Sequence, residues 1–231
     1  MAAALAIAGL VAWGWMRGHP QDLPWTPLDL GEPVGLFTGR KLTGLRDDFP
    51  QCRRLLDRAG VRYTVLEPRR DGPQCGYDDG VRLRVGQALA IPFRPAEVGI
   101  SCPVAAAMAM WEWNVVAPAA QRHFGTRVAA IEHFGSYNCR RMYGRDAGAW
   151  SEHATANALD IAAFRLSDGR RVSIVGNWAG TPEERAFLRE VRDGACDLFA
   201  TVLSPDYNAA HRDHFHFDQA DRGAIGGRAC R

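Results

Sequence analysis

The sequence predicts an α+β domain, on three observations. Four β-prone runs begin near residues 128, 158, 171 and 213, two longer helical runs begin near 104 and 182, and 231 residues that are 47% apolar suffice for one substantial core. Roughly 200 residues outside the N-terminal segment suit one catalytic-sized domain and leave no room for a second.

Taken in order, Ala2 to Met16 is an uncharged apolar run, AAALAIAGLVAWGWM, closed by Arg17. Fifteen helical residues reach only about 23 Å, short of a hydrocarbon core of roughly 30 Å. The run has no basic stretch before it and no small-x-small cleavage site after it, so residues 1–17 are expected as an uncleaved membrane anchor. A buried core helix is the competing reading. Residues 18–34 carry four prolines and are expected as an extended linker, with no core residue in them.

The remainder, 35–231, is expected as the domain, with 35–100 as an N-terminal subdomain that shapes a cleft. A short helix is expected from Leu42 to Gly60, with Gly60 as its C-cap, followed by a strand from Val61 to Leu66 and an alternating segment around Val81 to Ile91. Ser101 and Pro103 open a helix whose length and apolar density over 104–124 predict a central buried element. Val128 to Phe134 reads as a strand entering the turn-rich 135–145. The runs 158–166 and 171–175, joined by Ser167-Asp168-Gly169-Arg170, read as a hairpin. Thr181, Pro182 and Glu184 form a helix-start signature for 182–196, and DHFHFD at 213–218 alternates as one strand does. No internal repeat or low-complexity tract interrupts the chain.

The formal charge is only +2, which excludes the electrostatic footprint of a nucleic-acid partner. Lys41 is the only lysine among 28 basic residues, an arginine bias to which no function is assigned. Six cysteines, an even set without a C-x-x-C pair, favour up to three disulfides in an oxidising compartment, against six buried thiols. Of the fifteen pairings, sequence proximity favours Cys52 with Cys75 first and Cys196 with Cys230 second.

The chemistry concentrates in SEHATANALD, 151–160, and AHRDHFHFD, 210–218. On one strand His214 and His216 would project from the same face while Phe215 and Phe217 face a core. A zinc hydrolase needs three His or carboxylate ligands, an open position for water and a nearby carboxylate base. His153, Asp160 and His216 would supply the ligands and Asp213 the base. A His-x-His pair on a strand, or a His–carboxylate pair, is by itself more often a satisfied structural contact.

Ser151-x-His153, Asp160 after six intervening residues, and Asp213-x-x-His216 resemble the D-alanyl-D-alanine metallopeptidase family and its relatives among cell-wall endopeptidases and hedgehog domains. DLPWTPLDL, CGYDDGVRL, the SCP helix start, GSYNCR and HRDHFHFD resemble bacterial extensin-like C-terminal domain proteins over most of the chain. The resemblance implies a small antiparallel sheet carrying a zinc site at His153, Asp160 and His216, packed by helices. It implies Asp213 as the base, with Ser151 beside the substrate. Ala156 stands where the metallopeptidase motif usually has glycine, and Asp213 where many relatives have the longer glutamate. His214 is then an alternative base, or a group that orients the water or binds the tetrahedral intermediate, and His211 a supporting or surface residue. GSYNCRRMYG resembles the arginine-bearing stretch of carboxypeptidase relatives, which points to Arg140, and less to Arg141, for the substrate carbonyl or carboxylate.

The implied activity is a zinc-dependent peptidase acting on peptidoglycan stem or cross-link peptides at the periplasmic face of the inner membrane, tethered by residues 1–17. The alternatives are a non-catalytic zinc-containing envelope domain that binds or builds, and a zinc hydrolase of a non-wall amide or ester.

Overall fold

The structure, a computed structural model, describes residues 1–223 and 227–231. Its helices are α1 (Ala2–Gly18), α2 (Thr38–Thr43), α3 (Phe49–Arg58), α4 (Cys102–Trp111), α5 (Ala117–Phe124), α6 (Ile174–Asn177) and α7 (Pro182–Ala195). Its strands are β1 (Val61–Val65), β2 (Arg69–Gly72), β3 (Cys75–Tyr77), β4 (Gly80–Gln87), β5 (Phe93–Arg94), β6 (Ile100–Ser101), β7 (Val128–Gly135), β8 (Ala158–Leu166), β9 (Arg171–Ser173), β10 (Thr201–Leu203), β11 (Phe215–Asp218) and β12 (Ala229–Cys230). This is an α+β fold.

The main sheet has seven strands in the order β12-β10-β11-β8-β7-β5, with β9 also paired to β8. Its central ladders are antiparallel, whereas β5 with β7 and β10 with β12 are parallel, so the sheet is larger and more mixed than expected. One face is covered by helices. Trp111 of α4 packs on Phe217 and Phe164, Phe187 of α7 packs on Phe164, and Phe199 stacks on Phe217.

The expected central helix forms as α4 and α5 joined by a π-helical turn at Glu112–Val116, and every residue of α4 is buried. An all-round apolar helix has no solvent face to offer, so it lies inside. Thr181 and Glu184 make the reciprocal capping box that starts α7. The expected 42–60 helix is split, because Asp48 caps a new helix at Gln51 N and Pro50 occupies its first turn. Gly60 follows α3 with φ +69°, the left-handed conformation a chain reversal requires.

Several expectations are corrected. Residues 18–34 are not free of core: Leu28 and Leu30 are buried in the same apolar cluster as Phe215 and Phe217. That cluster also contains Leu55, Val61 and Val81, so residues 35–100 share the core of the main sheet. Cys52 pairs with Cys102 and Cys75 with Cys139, rather than Cys52 with Cys75. Cys196 pairs with Cys230 as expected, holding β12 beside β10. Finally, the last strand begins at Phe215, and Ile174 and Val175 turn into α6 instead of extending the hairpin.

Helix α1 leaves Leu5, Ile7, Leu10 and Trp13 exposed. Among the described residues no helix is long and apolar enough to cross a membrane.

Candidate metal centre

Strand alternation builds the floor of the site. On β11, Phe215 and Phe217 enter the core, so His216 and Asp218 stand on the opposite face. The β8–β11 ladder pairs His216 directly with Asp160. His153 arrives from the short 3₁₀ turn Glu152–Thr155, whose first residue is preceded by Ser151, with its hydroxyl accepting from His153 N–H at 3.3 Å. Ala156, in the left-handed conformation at φ +55°, then turns the chain into β8. The usual glycine of the motif therefore corresponds to a position where the backbone itself favours glycine.

These elements bring His153, Asp160 and His216 together. His153 Nε2 is 3.2 Å from Asp160 Oδ1 and 3.1 Å from His216 Nδ1, and His216 Nδ1 is 3.0 Å from Asp160 Oδ1. Ligands at 2.0–2.1 Å around tetrahedral zinc lie about 3.3 Å apart, so the spacing fits.

The donor chemistry fits as well. The other nitrogen of His153, Nδ1, donates to the Ser136 carbonyl oxygen, and the other nitrogen of His216, Nε2, donates to Asp218 Oδ2 at 2.9 Å. In the neutral rings both inward nitrogens then carry lone pairs, facing each other and a carboxylate. Three converging acceptors with no hydrogen between them are the arrangement a cation resolves.

Burial disfavours the charged form of His216, but the Asp160 and Asp218 carboxylates prevail and raise its pKa to about 9. Burial likewise works against ionised Asp160, yet the two imidazoles hold its carboxyl far below the usual range. A metal bound here would displace a proton.

Around the donor set the predicted residues fall as follows. His214 lies outside the strand, with Nε2 3.7 Å from Asp160 Oδ1 and Nδ1 donating to Asp213 Oδ1 at 2.8 Å. Both His214 and His216 line the cleft; Asp213 holds the far side of the His214 ring. Arg140 lines the cleft too, and among the described residues its guanidinium has no ion pair or hydrogen bond. Its segment is fastened by the Cys75–Cys139 disulfide and by Ser151 N–H on the Arg140 carbonyl. Arg141 instead stacks on Trp150.

His211 is buried in the cleft wall rather than on the surface. Asn208 Oδ1 accepts from Ala210 N–H and from His211 Nδ1, which leaves Nε2 as a bare acceptor. Burial first, then the neighbouring His214 and His216, lowers its pKa to about 4. Sequence reasoning missed Asp218 and the Ser136 carbonyl. The two-residue repeat of DHFHFD does place Asp218 on the face of His216, so that signal was present.

A model of the extensin-like protein C-terminus family matches residues 50–231. The chain belongs to this family. No curated protein and no solved structure matches it. The extensin-like match contains the complete donor set, the Asp213–His214 pair and Arg140. It also contains all six cysteines, so the three disulfides belong to the extensin-like part of the chain.

Proposed function

We propose that this extensin-like chain is a zinc-dependent peptidase of the cell envelope that hydrolyses amide bonds in peptidoglycan stem or cross-link peptides. The observation that carries the reading is the convergence of His153 Nε2, His216 Nδ1 and an Asp160 carboxylate oxygen, each oriented by a second hydrogen bond or by its strand. His153, Asp160 and His216 would hold the metal. Bound there, zinc supplies a Lewis acid and lowers the pKa of a water toward 7.

The chain's own residues do the rest. Asp213 accepts from His214 Nδ1–H, fixing the tautomer that presents Nε2 to the site, so His214 accepts the proton of the attacking water. As the C–N bond breaks, the same nitrogen returns that proton to the departing amine. On this reading Asp213 acts through His214 rather than as the base itself. Arg140, on a segment fastened at its backbone, offers a cation to the carbonyl oxygen as negative charge develops there. Ser151 acts mainly by capping the turn that aims His153.

The three disulfides support an oxidising compartment for the domain, outside the reducing cytoplasm. Exposed Trp13, Trp15 and the apolar residues of α1 suit attachment to the inner membrane on its periplasmic side. Metal analysis of the purified chain tests the site. One zinc per chain is expected, lost in His153→Ala and in Asp160→Ala. Unchanged metal content in both variants would refute the assignment.

A further inference from the structure

The floor of the cleft continues beyond the metal donors along the same sheet face. Thr201 of β10 pairs with Asp218 of β11, and Leu203 with His216, so Thr201 is the diagonal neighbour of His216, about 7–8 Å away. Arg222 lies over it, its Nη2 donating to Thr201 Oγ1 at 2.6 Å. This contact holds a long side chain against a rigid strand, so less freedom is lost when its remaining N–H groups bind a ligand.

Arg222 lines two spaces at once. One is the cleft of the donor set; the other is an adjoining groove to which Arg40, Arg46 and Arg228 also contribute. Arg46 faces Asp221 at 3.6 Å and Arg228 reaches Asp197 at 4.0 Å. Arg40 and Arg222 have no ion pair among the described residues, so the groove, which Asp47 and Asp221 also line, carries four guanidinium groups against two carboxylates beside the cleft.

We propose that Arg222 binds a carboxylate of the substrate peptide, a side chain or a terminus adjacent to the scissile amide, and that the arginine groove receives the acidic strand beyond it. This rests on the reading of the cleft as a peptide site. A planar guanidinium with free N–H groups is matched to a carboxylate in two parallel hydrogen bonds. An open groove continuous with the cleft suits an extended strand better than a small free anion.

Calorimetric titration of the full, zinc-loaded chain carrying His214→Ala, which stops turnover, tests the proposal. The probes are two synthetic stem peptides, identical except that one has a free D-glutamate carboxylate and the other its amide. The free acid is expected to bind roughly 10- to 100-fold tighter, the range of a hydrogen-bonded charge pair. That preference should vanish in Arg222→Ala and survive in part in Arg222→Lys, with zinc content unchanged in both. Equal binding of the two peptides, or a preference that persists in Arg222→Ala, overturns it. So does Arg222-dependent binding of inorganic phosphate that is tighter than that of the peptide. Absence of cleavage by the wild-type chain alongside an Arg222-dependent preference would remove the peptidase reading and leave the carboxylate site standing.

Discussion

Asp218 accepts a hydrogen bond from Nε2 of His216 at 2.9 Å, and that bond decides which nitrogen of His216 faces Asp160. Carboxylate partners of this kind orient a ligand ring and raise its basicity, and their loss typically costs 10- to 100-fold in metal affinity. Asp218→Ala is therefore expected to weaken zinc binding by roughly that factor while the chain remains folded. Competition with a chelator of known affinity measures it. Wild-type affinity in the variant would mean that Asp218 has no part in orienting the ring.

The division of labour between Asp213 and His214 follows from their single contact at 2.8 Å. His214→Ala should lower kcat by about 10²- to 10⁴-fold, the contribution of a general base. Asp213→Ala should cost less, roughly 10- to 100-fold, because it removes only the orienting partner. Both variants should keep their zinc. Steady-state rates on a stem peptide check the order, and a larger loss from Asp213→Ala would restore Asp213 as the base.

Ala156 is fully buried at φ +55°. Replacing it by glycine relieves backbone strain of about 1 kcal/mol but gives up a buried methyl of similar worth, so Ala156→Gly should stay within about 1 kcal/mol of wild type. Ala156→Val adds volume and a β-branch at a left-handed position and should destabilise by at least 1–3 kcal/mol. Urea unfolding under oxidising conditions compares the two.

Asp79 lies near the head of α4, where burial outweighs the Cys102 N–H and raises its pKa to about 6. The folded value exceeds the unfolded one of about 3.9, so the folded state favours the protonated form and stability falls as pH rises from about 4 to 6. Asp79→Asn removes that titration. It is expected to stabilise the fold by about 1–2 kcal/mol at pH 7, with the difference from wild type disappearing near pH 4. Thermal unfolding across that range reads it, and a gap that widens toward acid would reverse the sign.

The Cys75–Cys139 bond spans 64 residues and fastens the segment that carries Arg140. Replacing both cysteines by alanine should cost roughly 2–4 kcal/mol, as loss of a long-loop cross-link does. It should also lower activity more than zinc content, because the donor set is anchored on β8, β11 and the turn before β8. Metal analysis beside a rate assay separates the two effects.

Much of the site was legible because its parts are local. Two-residue alternation put His216 on the face opposite Phe215 and Phe217, and the spacing of His153 to Asp160 matched a turn entering a strand. The fold class followed from α4, α5 and α7 and from the longer strands. What escaped was non-local or very short. Strands β10 and β12 have three and two residues, too few for a periodic signal, and yet they supply the floor beneath Arg222. Sequence proximity pointed to Cys52 with Cys75, whereas the sheet and helix packing bring each to a partner 50 or more residues away. The proline content of 18–34 suggested a linker, but Leu28 and Leu30 had core to bury into. Asp213 looked like a strand residue because DHFHFD alternates throughout; the turn ends only after His214, which makes Asp213 a partner of that ring.

Amide hydrolysis at the His153, Asp160 and His216 site is open to direct observation. Mass spectrometry of a muropeptide digest incubated with the zinc-loaded chain, beside a digest incubated with His216→Ala, tests it most directly. New amine and carboxylate ends in stem or cross-linked peptides are expected with the wild type alone. Full zinc occupancy with no new ends on any of these peptides would contradict it.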